Sequence, residues 1–130
     1  MAVPTLQPEG PLALAIGGTR FLLGATTYAA PSVAAALFSV DVSKNPQAPF
    51  IARLFAVRDA AIGVGTLTAR GSSLRAVTAI GLAGDVGDAL AAVLAYRRAV
   101  IPRSTAVSTV ATAVLVGGLS TALYIRSNRA

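Results

Sequence analysis

Four apolar runs, over residues 12–38, 50–69, 74–96 and 105–125, take up nearly all of the 130-residue chain. Each is close to or beyond the roughly 20 residues that an α-helix needs to cross a hydrocarbon layer. The connections are short, so successive runs must lie side by side with alternating direction. That combination predicts an all-α fold, an integral membrane antiparallel four-helix bundle, with a single four-span domain over 1–130. No stretch remains for a separate soluble domain.

Composition agrees. The chain is 55% hydrophobic and only 12% charged, against roughly 25% charged in an average soluble domain. The leader MAVPTLQPEGP carries no basic n-region, and the run after it outlasts a signal-peptide core. The first run is therefore expected to stay as a span. Cysteine and histidine are both absent, which removes thiolate nucleophiles, disulfides, imidazole bases and ordinary zinc sites. No cofactor is expected. The net charge of +6 does not point to nucleic acid, because the basic residues form no stripe and no aromatics are interleaved with them. Headgroup contact explains them better.

Pro11 suits the first turn of a helix. Pro31 interrupts the first run, so the SVAAALFSV segment beyond it either continues as a kinked extension or lies along the interface. DVSKNPQAP, over 41–49, is the clearest loop. The turn ARGSS, over 69–73, makes the second and third runs a hairpin. Tyr96, Arg97, Arg98 and Arg103 close the third run and Tyr124, Arg126 and Arg129 the fourth, as aromatic and basic anchors at headgroup level. An anionic-lipid site is the sharper reading of Arg97 and Arg98. Arg70, Arg75, Arg126 and Arg129 on one side nearly balance Lys44, Arg97, Arg98 and Arg103 on the other, to which Arg53 adds a fifth if it is counted at the start of its run. The location is thus integral membrane and multi-pass, with orientation undetermined.

Only five residues are acidic, and three of them, Asp59, Asp85 and Asp88, fall inside apolar runs. A central Asp or Arg costs about 2.5 to 3.5 kcal/mol to insert, so these groups should not face lipid. Arg53 is near a run's start and snorkels outward, whereas Arg58 is deeper and needs a partner. Arg20, Arg58, Asp59 and Asp85 share a similar depth despite the alternating helix directions. Helical spacing places Thr78, Gly81, Asp85, Asp88 and Ala92 on one stripe. Asp59, Gly63 and Thr66 form a second stripe, and Gly17, Arg20, Gly24 and Thr27 a third. The small residues let backbones approach and long arginines cross. A polar centre of Arg20, Arg58, Asp59, Asp85 and Asp88 follows, with one proton taken up to balance three carboxylates against two arginines. Thr105, Ser108, Thr109 and Thr112 of the last run are expected to complete its wall.

RLFAVRDAAIG over 53–63, GGTRFLLG over 17–24 and GDVGDAL over 84–90 together resemble small four-helix membrane proteins of unknown function, loosely DoxX-like. The resemblance implies a four-span bundle with the Arg-Asp pair of the second run inside. It supplies no reaction: DoxX-like relatives are linked to sulfur and quinone metabolism, and a chain without cysteine has no thiol chemistry to offer.

The first reading of the polar centre is an ion-pair network that fixes helix register. A proton or ion pathway, or a polar ligand cavity, is the sharper alternative. No metal site is expected, since two or three carboxylates diluted by arginines make a poor cation cage. The glycines match no phosphate-binding loop. No catalytic residue is assigned. The function expected is that of an accessory subunit or small-ligand binder. The alternatives are a proton-coupled small-molecule transporter and a membrane enzyme acting on a lipid or quinone. The partner expected is the lipid bilayer, with a homodimer or larger membrane complex left open.

Overall fold

Proline and glycine punctuate the chain, and the computed structural model, which describes residues 8–129, interrupts its helices close to those points. Helices α1 (Pro11–Ala29), α2 (Pro31–Leu37), α3 (Ala48–Thr68), α4 (Gly71–Arg97) and α5 (Arg103–Ser127) follow in order, with no strand among the described residues. The leader up to residue 7 lies outside them. Proline occupies the first turn of α1, α2 and α3, where its missing N–H costs nothing.

The first apolar run is two helices rather than one. Ala30 takes φ −130° and ψ 64°, because the proline that follows it bars the α region. Its N–H still closes onto the Thr26 carbonyl at 2.8 Å. The short α2 then packs back against α1 and α3 with Pro31 and Ala35 buried. The loop after it turns through Ser39 at φ 57° and is held by Asp41. That carboxylate accepts from the Ser43 hydroxyl at 2.6 Å and the Ser43 N–H at 3.0 Å, a local turn of the Asx type. The hydroxyl bond is the largest influence holding Asp41 below the ordinary carboxylate range. Thr105 at the head of α5 donates to the Ser39 carbonyl at 3.2 Å, pinning the loop across the end of the fold.

The four long helices alternate in direction. Gly17 of α1 faces Leu67 of α3 while Gly24 faces Ala56 and Ala60, so α3 recedes as α1 advances. Gly65 of α3 faces Val77 of α4, and Arg58 reaches Asp88 farther along. Gly117 of α5 faces Asp85, and Ser127 receives a hydrogen bond from Arg75 at 3.3 Å. The two-residue connection at Ala69 and Arg70 does make α3 and α4 antiparallel neighbours. Their most extensive packing, however, is elsewhere: α3 lies along α1 and α4 along α5. The glycines explain the difference. Bare backbone on Gly17, Gly24 and Gly63 brings α1 and α3 into direct contact, whereas Arg58 and Asp88 stand between α3 and α4.

One end of the interior is apolar, with Ala13, Ile16, Leu74 and Leu123 buried together. The Glu9 carboxylate closes this end by accepting from the Gly71 N–H at 3.2 Å. Hydroxyls inside the fold bond mostly to their own helices, as Thr66 does to the Ile62 carbonyl and Thr78 to the Leu74 carbonyl, and so leave no unpaired donor. The outer surface is apolar: Leu22, Leu90, Val114 and Leu115 each show more than half of their surface. Helices α4 and α5 are long and apolar enough to cross a membrane. The charges in α1 and α3 lower the apolarity of those two helices.

Candidate functional site

The five charged residues expected to form a polar centre lie together at mid-length of the helices. Arg20 projects from α1 between the close-approach glycines and is 3% exposed. Its Nη2 donates to Asp85 Oδ2 on α4, and its Nη1 lies 3.5 Å from Asp59 Oδ1 on α3. The same Asp59 oxygen is 3.3 Å from Arg58 Nη2. Arg58 then grips Asp88 with both terminal nitrogens, at 3.1 and 2.8 Å, the two-pronged geometry in which a guanidinium binds a carboxylate best.

The result is a chain of alternating charge: Asp85, Arg20, Asp59, Arg58, Asp88. It leaves α4 at Asp85, passes through α1 and α3, and returns to α4 one turn later. Asp85 and Asp88 therefore do not converge on a common ligand. Each takes its own arginine, and Asp59 bridges the two. Among the described residues no cluster of acidic side chains could hold a metal ion.

Clearance for this network comes from backbone. A Cβ on Gly81 would stand 3.2 Å from Arg20 Nη2, and one on Gly84 3.7 Å from the Arg58 guanidinium. Gly117 gives room to Asp85 from the α5 side. The two ends of the chain differ in burial. Asp85 is 6% exposed, whereas the Arg58 and Asp88 side chains keep 33% and 29% of their surface. Arg58 also lies over the Phe55 ring, 5.1 Å from its centroid, and its Nε is buried with no hydrogen-bond partner.

No family model, curated protein or solved structure matches this chain. The residues themselves carry the reading.

The α5 contribution differs from the one the hydroxyl pattern predicts. Thr105 is buried but bonds to the loop at Ser39, Ser108 and Thr109 both donate to the Thr105 carbonyl, and Thr112 donates to the Ser108 carbonyl. The hydroxyl that meets the charges is Ser120, 1% exposed and 3.5 Å from Arg20 Nη2. Gly117 and Ser120, three apart and at the depth of Asp85 and Arg20, are the sequence signal for it. Arg53 stays outside the network: its Nε donates to the Tyr28 carbonyl at 3.1 Å and its guanidinium lies over the Tyr28 ring, the outward placement its position near a helix start predicts.

Two grooves on the surface are lined by none of the five residues of this charged centre. One is a groove lined by Gly24, Tyr28, Ala56 and Ala60 between α1 and α3; the other runs between α4 and α5. Both open sideways onto the apolar exterior. The contacts described within the charged centre, Arg58 with Asp59 excepted, run between side chains of different helices.

Proposed function

We propose that the protein is an integral membrane, multi-pass four-helix bundle that works as a non-enzymatic accessory subunit, docking through its α3–α4 face onto a second copy or another membrane protein. Membrane placement is supported by the inverted distribution of polarity, with Arg20 and Asp85 inside and leucine and valine outside. The hydrophobic effect in water would not leave that exterior uncovered. The proposed DoxX-like kinship, resting on residues 17–24, 53–63 and 84–90, agrees with four spans and adds no reaction.

The observation that carries the accessory reading is the Arg58–Asp88 pair. It sits at mid-depth on a face that is otherwise apolar, yet about a third of it is uncovered. Charge turned toward hydrocarbon at that depth costs several kcal/mol. A partner helix with a carbonyl or hydroxyl opposite Arg58 would cover the exposed third of the pair.

A second reading has its own observation. Three carboxylates against two guanidiniums leave the centre one negative charge in excess, which a proton would neutralise, as a proton-coupled transporter requires. One set of variants separates the two. The chain has no cysteine, and nothing lies within 4 Å of a Cβ placed on Gly87, beside Asp88. Gly87→Cys in native membranes should form a specific cross-link if this face is docked. Free labelling of that cysteine in a monomeric protein would remove the accessory reading, and a pH-dependent flux lost in Asp59→Asn would favour transport.

A further inference from the structure

The groove between α4 and α5 has a volume of about 630 Å³ and runs from Tyr96 and Arg103 down to Val114 and Leu115. From Arg103 to Leu115 is twelve helical steps, about 18 Å at 1.5 Å per residue. That is close to one leaflet, half of a hydrocarbon layer about 30 Å thick. Apart from Tyr96 and Arg103 the lining is aliphatic, with Val93, Ala106, Val107 and Val110 along its upper half.

Basic residues gather at the end marked by Tyr96 and Arg103. Arg103 lines the groove, and Arg97 and Arg98 directly follow the lining residue Tyr96 at the end of α4. Among the described residues none of the three makes an ion pair, and α5 contains no acidic residue. The first turn of α5 adds backbone N–H groups with no partner inside the helix, which favour a phosphate. The α1–α3 groove offers the contrast. No cation lines it, and Arg53 near its mouth is already committed to Tyr28.

We infer that the α4–α5 groove seats one acyl chain of an anionic phospholipid, with the headgroup phosphate held by Arg97, Arg98 and Arg103. The groove fits a chain from a single leaflet because it ends near mid-depth, and the headgroup class is set by three cations with no carboxylate to compete. Each arginine close to an anionic headgroup contributes about a fivefold gain in affinity, so the three together contribute on the order of a hundredfold. This seat rests on the membrane placement proposed above and is independent of what docks on α3–α4.

The test is native mass spectrometry of the full chain released from vesicles of equal phosphatidylglycerol and phosphatidylcholine. One phosphatidylglycerol should stay bound in preference to phosphatidylcholine. R97A/R98A/R103A should abolish that preference, and A111L, which fills the groove without touching a charge, should release the lipid while the helical circular dichroism is unchanged. Equal retention of both lipids, or retention of phosphatidylglycerol undiminished in either variant, overturns the seat. So does a Val107→Cys cross-link between two copies, which would mean that a second chain fills the groove. Alkaline carbonate extraction separates the two levels. A chain that washes out of the membrane defeats the membrane placement, and one that stays but shows no headgroup preference defeats only the lipid seat.

Discussion

Arg20 and Asp85, 65 positions apart in sequence, meet as an ion pair that is almost fully removed from the surface. Every long helix participates in closing this contact. Helix α1 carries the cation and α4 the anion, α3 supplies Asp59 as a second acceptor, and α5 presents Ser120. Pairing of this kind adds little net stability compared with apolar residues of the same shape, but it strongly penalises any arrangement that leaves one partner alone. Its effect is to select one register of the helices.

Neutralising one partner is therefore predicted to be costly. Asp85→Asn leaves the Arg20 guanidinium buried, with Asp59 and Ser120 each only at 3.5 Å, and should destabilise the fold by about 3–5 kcal/mol. Replacing both groups with apolar ones, as in R20M/D85L, should recover most of that loss. Denaturant titration in detergent micelles reads both effects. A double variant that loses as much as the two singles combined would show that the pair does not act as a unit.

The outer pair should respond differently. Arg58 and Asp88 are about a third exposed, so Asp88→Asn is expected to cost about 1 kcal/mol or less of fold stability. Under the proposed accessory role the same change should weaken association far more, lowering cross-linking through Gly87→Cys. Equal unfolding penalties for Asp88→Asn and Asp85→Asn would contradict the difference in burial on which this ordering rests.

Depth and spacing made the charged centre legible. A charge in the middle of an apolar helix has few affordable positions, so Arg20, Arg58, Asp59 and Asp85 are expected to face inward, and the glycines in the same stripes mark where backbones touch. Hydroxyls carry no such constraint. Ser108, Thr109 and Thr112 are satisfied by their own helix, so their spacing says nothing about what they face, and Ser120 was hidden among similar residues. The partnering of α1 with α3 was equally hidden, because loop length orders neighbours in sequence but not the intimacy of their packing. At Pro31 the sequence marks an interruption, while the direction of α2 depends on tertiary contacts.

Ser120 separates the effects of volume and hydrogen bonding. Its contact with Arg20 is long at 3.5 Å, so Ser120→Ala should cost no more than about 1 kcal/mol. Ser120→Leu adds bulk at a position that is 1% exposed and should cost about 1–3 kcal/mol through overpacking. Comparable losses for the two variants would mean that the hydroxyl matters more than its geometry indicates.

Asp41 gives a pH-dependent signature outside the helices. Its midpoint in the folded chain is lowered, first by the Ser43 hydroxyl, so its contribution to the loop is complete above the ordinary carboxylate range and is lost as pH falls through the lowered midpoint. Ser43→Ala should move the Asp41 titration upward, as followed by carboxyl NMR shifts. An unmoved midpoint would remove the hydroxyl as the main cause.

The sharpest separation is among the glycines of α1 and α3. A Cβ on Gly63 would lie 2.6 Å from the Phe21 nitrogen and 2.8 Å from the Gly17 carbonyl oxygen, and one on Gly24 2.6 Å from the Ala56 carbonyl oxygen. These neighbours are backbone and cannot swing aside, so Gly63→Ala or Gly24→Ala must push the helices apart, at about 1–3 kcal/mol. The separation would also stretch the 3.5 Å contact between Arg20 and Asp59, coupling packing to charge. Gly18 sits one position from Gly17 but has nothing within 4 Å of its Cβ position. Gly18→Ala should therefore be neutral, or stabilising by up to about 1 kcal/mol through helix propensity. Unfolding of the three variants side by side decides the matter: if Gly18→Ala and Gly63→Ala behave alike, backbone contact between α1 and α3 is not what these glycines provide.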